Sequence, residues 1–141
     1  MSKSLGYYVS NDGKTVADGK TLPIINIVRQ FGRNIQLGNN SVIINNGCAC
    51  GNNAFNALFY DVSVNTTLIS GAAGIITVTL YQDGAPVNGA TASGTVASGA
   101  TVSLSFDTAV KVLNGSNSVL TLVVSGASVT AQNVAIKAAS A

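Results

Sequence analysis

The side chains able to do chemistry are few, and their spacing assembles none of the usual reaction centres. The 141 residues contain no His, no Trp and no Glu, so five Asp supply every side-chain carboxylate. Proton transfer near neutral pH relies on His, or on carboxylates and lysines tuned by their surroundings, which leaves Asp61, Asp83 and Asp107 as the main candidates. Asp61 and Asp107 each occupy the polar position of an alternating segment, where a solvated carboxylate is the commoner reading, and Asp83 precedes Gly84 in a turn signal. No G-x-S-x-G elbow, phosphate loop or metal-ligand array is present. The expectation is a protein that is no enzyme, with no catalytic residue, no metal and no cofactor.

Cys48 and Cys50 lie in Gly47-Cys48-Ala49-Cys50-Gly51. Two thiols without a His or a second Cys pair cannot complete a tetrahedral zinc site within one chain, and the spacing is not the C-x-x-C of redox enzymes. Three readings stay open: small residues in a Gly-rich turn or strand end, a metal site or disulfide formed where copies meet around a symmetry axis, and a strained bridge within the chain. The sequons at Asn39, Asn65 and Asn114 are expected by chance in a chain so rich in Asn and Thr. They are expected to be unused.

The elements that must position these residues are strands. Charged residues make up 9% of the chain, against about 25% in an ordinary domain, while apolar residues reach 47%. Ser, Thr, Asn and Gly replace the missing charge, which suits pleated surfaces and turns rather than exposed helices. With so little charge to keep the surface soluble, apolar area is expected to be hidden in contacts between copies. One domain of 14.1 kDa can bury about 70% of the surface its unfolded chain exposes.

Charge is unevenly placed. Residues 1–33 hold Lys3, Lys14, Lys20, Arg29 and Arg33 against Asp12 and Asp18, a net of +3, whereas the remainder holds two Lys against three Asp, a net of −1. The basic residues stand singly, with no run and no aromatic platform, so no nucleic-acid partner is expected. No stretch approaches the ~18 apolar residues of a spanning helix, and the start lacks the apolar run of a secretory signal, so no membrane partner is expected.

Period-two alternation marks Leu58 to Val64, Ile76 to Leu80, Val102 to Phe106 with a continuation at Val110 and Val112, Leu120 to Val124, and Val134 to Ile136. Shorter apolar runs occur at Ile24 to Val28, Ile35 to Leu37 and Val42 to Ile44. Asp12-Gly13, Asp18-Gly19, Asn46-Gly47, Asp83-Gly84, Asn88-Gly89 and Asn114-Gly115 supply turn chemistry. Some eight or nine strands of this spacing predict an all-β antiparallel sandwich or barrel, and no segment has a helical stripe. Residues 84–99, of small side chains with Pro and Gly, read as a long exposed loop containing a short strand. Residues 1–20 read as an amino-terminal arm or extra edge strand, and residues 21–141 as the folded domain.

The strands also carry a resemblance. From Ala54 to Ala138 the pattern Phe55-x-x-Leu58-Phe59-Tyr60-x-Val62-x-Val64, the hairpin Leu80-Tyr81-Gln82-Asp83-Gly84-Ala85-Pro86-Val87-Asn88-Gly89-Ala90, the alternation Val102-x-Leu104-x-Phe106, and Leu120-x-Leu122 with Asn133-Val134-Ala135-Ile136 resemble one family. It is the jelly-roll family of tumour necrosis factor-like and complement globular-head-like type, found in bacteriophage and bacterial surface proteins. The resemblance implies an antiparallel jelly-roll β-sandwich that assembles as a homotrimer. Its phage members are virion components, as head decoration proteins or head-fibre heads, and relatives from spore-forming bacteria sit on the spore surface.

On that basis the chain is expected to be a capsid decoration or head-fibre protein, made in the host cytoplasm and carried on the capsid surface, with the major capsid protein or other virion proteins as partners. The basic residues Lys3, Lys14, Lys20, Arg29 and Arg33 are the capsid-contact candidates. Phe59, Tyr60 and Tyr81 are the trimer-interface candidates, because aromatic side chains bring large apolar area at low entropic cost. With no Gly-X-Y repeat and no heptad, the globular domain or the arm must supply the trimer contacts. The alternatives are a module binding host glycans or the host surface, and a bacterial or spore surface protein.

Overall fold

Alternation of apolar and polar side chains buries one face of each strand, and two sheets meet over those faces. The computed structural model describes residues 4–46, 57–113 and 115–140. In chain order the strands are β1 (Leu5–Ser10), β2 (Lys14–Val16), β3 (Asn26–Phe31), β4 (Ile35–Leu37), β5 (Val42–Asn46), β6 (Ala57–Ser70), β7 (Gly74–Gln82), β8 (Ala85–Val96), β9 (Thr101–Leu113), β10 (Ser116–Ser125) and β11 (Val129–Ser140). Sheet A has the order β3-β1-β11-β6-β9, with β2 also paired to β11, and sheet B has the order β4-β5-β10-β7-β8. Every pairing is antiparallel, so the expected all-β jelly-roll sandwich is the observed architecture.

The core lies between the sheets. Tyr60, Val62, Val64 and Leu68 of β6 face Ile76, Val78 and Leu80 of β7 and Leu120, Leu122 and Val124 of β10, all essentially buried. Each such aliphatic side chain contributes about 1.5–3 kcal/mol by leaving water. Thr66 and Ser70 are buried polar residues of β6, and each satisfies its hydroxyl on a carbonyl, Thr66 donating to Leu104 at 2.8 Å and Ser70 to Ala72 at 2.6 Å.

Three readings of the sequence change. The described part of the expected arm, residues 4–20, does not project, because β1 lies between β3 and β11 with Tyr8 fully buried, and β2 pairs with β11. The inward positions of β1 are Gly6, Tyr8 and Ser10, too polar for an apolar alternation to appear. Gly6 is needed there: a Cβ would stand 2.6 Å from both the Ile35 side chain and the Tyr8 hydroxyl. Residues 17–24 then cross to sheet B, where Leu22 N–H donates to the Leu122 carbonyl at 2.7 Å, before β3 returns to sheet A.

The expected loop at residues 84–99 is instead mostly β8, a long hairpin partner of β7. Small side chains do not prevent a backbone ladder, and hydroxyl pairs reinforce it, Thr77 with Ser93 at 2.7 Å and Thr79 with Thr91 at 3.2 Å. Asp83 and Gly84 take φ of 53° and 84°, as a tight hairpin turn requires. Asn88-Gly89 makes a bulge within β8 rather than a turn, at the register shift between Thr79 and Tyr81. The described residues form eleven strands, because β1, β2 and β8 add to the expected set.

Candidate functional site

Sheet A turns one face to the core and the other outward, and the register of its strands arranges the outward residues in rows. One row runs Arg29 on β3, Tyr7 on β1, Lys137 on β11, Ser63 on β6 and Asp107 on β9. The next row toward one end of the sheet runs Phe31, Leu5, Ala139, Asp61 and Ala109. Beyond it, Phe59 pairs with Lys111, and Leu113 closes the last level. Phe31, Phe59 and Leu113 are 67%, 56% and 53% exposed, which is far more apolar area than a finished surface needs to show. At the polar row the face dips into a shallow depression of about 150 Å³ lined by Tyr7, Ser63, Asn65, Ala135 and Lys137.

Strand parity separates the three aromatic candidates for the interface. Phe59 lies on this outer face. Tyr60, its neighbour in sequence, points inward and is fully buried, so it has no area to give a partner. Its hydroxyl has no hydrogen-bond partner among the described residues. Tyr81 is half-buried on sheet B, across from Thr121 and Pro86, and shares no surface with Phe59. Phe31, Leu113, Tyr7 and Lys137 were missed. Their signal was an apolar residue at the wrong parity, as in Leu113 next to Val112, or within a strand exposed along its whole length, as in β3.

The structure brings two of the basic candidates together. Lys14 and Lys20 flank a cleft of about 270 Å³ that also takes in Thr15, Thr21 and Asn40. The two carboxylates nearby in sequence are engaged elsewhere: Asp12 accepts from the Ser10 hydroxyl at 3.1 Å, and Asp18 accepts from the Gly126 N–H at 2.9 Å. Arg29 is on the edge strand β3 and Arg33 in the turn that follows it, both exposed and both away from the cleft. Lys3, Cys48 and Cys50 lie outside the described residues.

The sequence matches no family model and no curated protein. Its structure does match solved ones. Eiger TNF from S. frugiperda superposes with a TM-score of 0.71 at 10% identity, over 100% of this chain and 94% of that one. The globular domain of zebrafish complement 1qA gives 0.65 at 10% identity, over 99% of this chain and 96% of that one. The fold is a tumour necrosis factor-like, complement 1q-like jelly roll. The PRD1 vertex protein P5 shares it with a TM-score of 0.56 at 10% identity, over 97% of this chain and 95% of that one.

The carboxylates of this jelly roll are spread over separate places rather than gathered. Asp61 and Asp107 stand on the outer face of sheet A, on the adjacent strands β6 and β9 and one row apart, and neither lines the depression. Asp83 closes the β7–β8 turn against β10, accepting from Val119 N–H at 2.9 Å and from the Ser118 hydroxyl at 3.1 Å. Burial pushes the Tyr8 phenol up to about 12, and its hydroxyl donates to Gln30 Oε1 at 2.8 Å, so it is a structural hydrogen-bond donor across β1 and β3. What the jelly roll offers is surface: an apolar and polar face on sheet A, and a basic cleft at the far end.

Proposed function

We propose that this chain is a structural protein of a bacteriophage virion, a capsid decoration or head-fibre protein, that assembles as a homotrimer on the capsid surface and performs no catalysis. The observation that carries this reading is the outer face of sheet A, where Phe31, Phe59 and Leu113 stay more than half exposed in the single chain. Likeness to a PRD1 vertex protein across nearly the whole chain supports a place on a virion. A standard interface hides about 800 Å² on each partner, and a jelly roll with one sheet face free has room for it. The cleft at Lys14 and Lys20 is the surface proposed to meet acidic groups of the shell, with the protein made in the host cytoplasm and incorporated there.

Two measurements test the reading. Native mass determination of the full chain should give three times 14.1 kDa. Cryo-electron microscopy of the phage should place the protein on the capsid at a copy number set by symmetry. A free monomer in solution and no density on the particle would end the proposal, and selective retention on a glycan array would favour the host-binding alternative.

A further inference from the structure

We propose that Asn88 is a site of spontaneous covalent modification, at which the Gly89 backbone nitrogen closes on the Asn88 side chain and converts it to aspartate or isoaspartate. It stands whether or not the chain is a virion protein. Asn88-Gly89 has the composition of a tight hairpin turn, but the turn between β7 and β8 is made by Asp83 and Gly84. The pair forms instead the tip of a bulge: Thr79 pairs with Thr91 and Tyr81 with Pro86, so Val87 to Ala90 stand opposite Leu80 alone. Val87 and Ala90 hold the bulge down on the core, and Asn88 and Gly89 are exposed. The Asn88 side chain makes no hydrogen bond among the described residues, and a Cβ at Gly89 would meet nothing within 4 Å.

Three properties meet at this tip. The Asn side chain is short enough for attack by the next residue's nitrogen to close a five-membered ring, the chemistry that makes Asn labile on heating. Gly89, with φ of 79°, has no side chain to crowd that approach. Outside the ladder, the Asn88 backbone turns without breaking a paired bond. The Gly89 nitrogen gives its proton to water or hydroxide and bonds to Asn88 Cγ, while the Cγ–Nδ2 bond breaks and the side-chain nitrogen leaves as ammonia. Water then opens the resulting succinimide. Attack at Cγ restores the main chain and gives an aspartate, whereas attack at the former backbone carbonyl carbon leaves the main chain running through Cβ and Cγ, an isoaspartate. No electron transfer and no other side chain is needed. Each event takes the formal net charge from +2 to +1 and puts a carboxylate on the edge strand β8, which has no charged residue between Ala85 and Val96. Asn26 and Asn117 are the contrast, because both are exposed but sit in paired ladders and are followed by Ile27 and Ser118.

The test is a time course of the full chain in warm, mildly alkaline buffer, folded and in urea. Isoelectric focusing separates the charge variants, and tandem mass spectrometry with electron-based fragmentation maps every Asn and tells isoaspartate from aspartate. In the folded chain Asn88 is expected to convert to a mixture of the two acids at a rate within about tenfold of that in urea, since a bulge outside the ladder has little to open. Asn26 and Asn117 should remain amides over the same period. Asn88→Gln should lose the acidic variant mapped to this bulge, because the longer side chain closes a larger ring. An Asn88 that stays an amide in the folded chain while it converts in urea overturns the proposal. Conversion to aspartate with no isoaspartate also overturns it, as the mark of direct hydrolysis without the ring, and conversion of Asn26 or Asn117 as fast as Asn88 overturns the part assigned to the bulge.

Discussion

Removing the Tyr60 hydroxyl should stabilise the protein, although it removes a polar atom from a natural core. The ring is fully buried on β6, and the oxygen has no hydrogen-bond partner among the described residues. A buried hydroxyl left unpaired costs about 1–3 kcal/mol. Tyr60→Phe recovers that cost and leaves a void of one oxygen, worth a few tenths at about 24 cal/mol per Å³. The expected net gain is about 1–2 kcal/mol, or roughly 4–8 °C in melting midpoint for a domain of this size. Tyr8→Phe is the matched comparison, because the same atom is deleted from an equally buried ring whose hydroxyl donates to Gln30 at 2.8 Å. It should lose about 1 kcal/mol, since Gln30 is exposed and returns to water. Urea titrations of the three proteins at one fixed protein concentration give both numbers, fixed because association adds to apparent stability. If Tyr60→Phe falls below wild type by as much as Tyr8→Phe, the Tyr60 oxygen has a partner and the reasoning fails.

Three further outcomes are expected. Tyr8 is held at about 12 against an ordinary 10.0, so it is protonated in both states below pH 10 and its contribution is constant there. Between pH 10 and 12 the unfolded chain sheds the proton first, and the stability of wild type relative to Tyr8→Phe should fall across that window; a flat difference in urea midpoint would contradict it. Gly126→Ala should destabilise by at least about 2 kcal/mol, because φ is 111° and a Cβ would strike the Ile75 carbonyl, whereas Gly99→Ala, with φ of 77° and open space, should cost only about 1 kcal/mol. Thermal melts of the two variants that coincide would refute the difference. Asp83→Ala should cost about 1–2 kcal/mol, through the lost bonds to Val119 and Ser118 and the positive φ of the turn, and Asp83→Asn should recover about half in the same melts.

By itself the sequence determined the period. Leu58 to Val64 and Val102 to Phe106 alternate strictly, and β6 buries Tyr60, Val62 and Val64 while β9 buries or half-buries Val102, Leu104 and Phe106; Asp83-Gly84 could accept positive φ, and it forms the hairpin turn. These are properties of residues two apart or side by side, so they are written locally. β1 and β8 were hidden because their inward positions, Tyr8 and Val96 apart, hold mostly Gly, Ser and Ala, and what makes them strands is a partner's backbone: Leu5 pairs with Ala139 at the far end of the chain. Parity also divides Phe59 from Tyr60 without saying which of the two faces another sheet covers. Only the tertiary structure decided that Tyr60 lies under sheet B, that Phe59 is left uncovered, and that Tyr7, Lys137, Ser63 and Asp107 share one row, because register between distant strands is set by the packing of the whole sandwich.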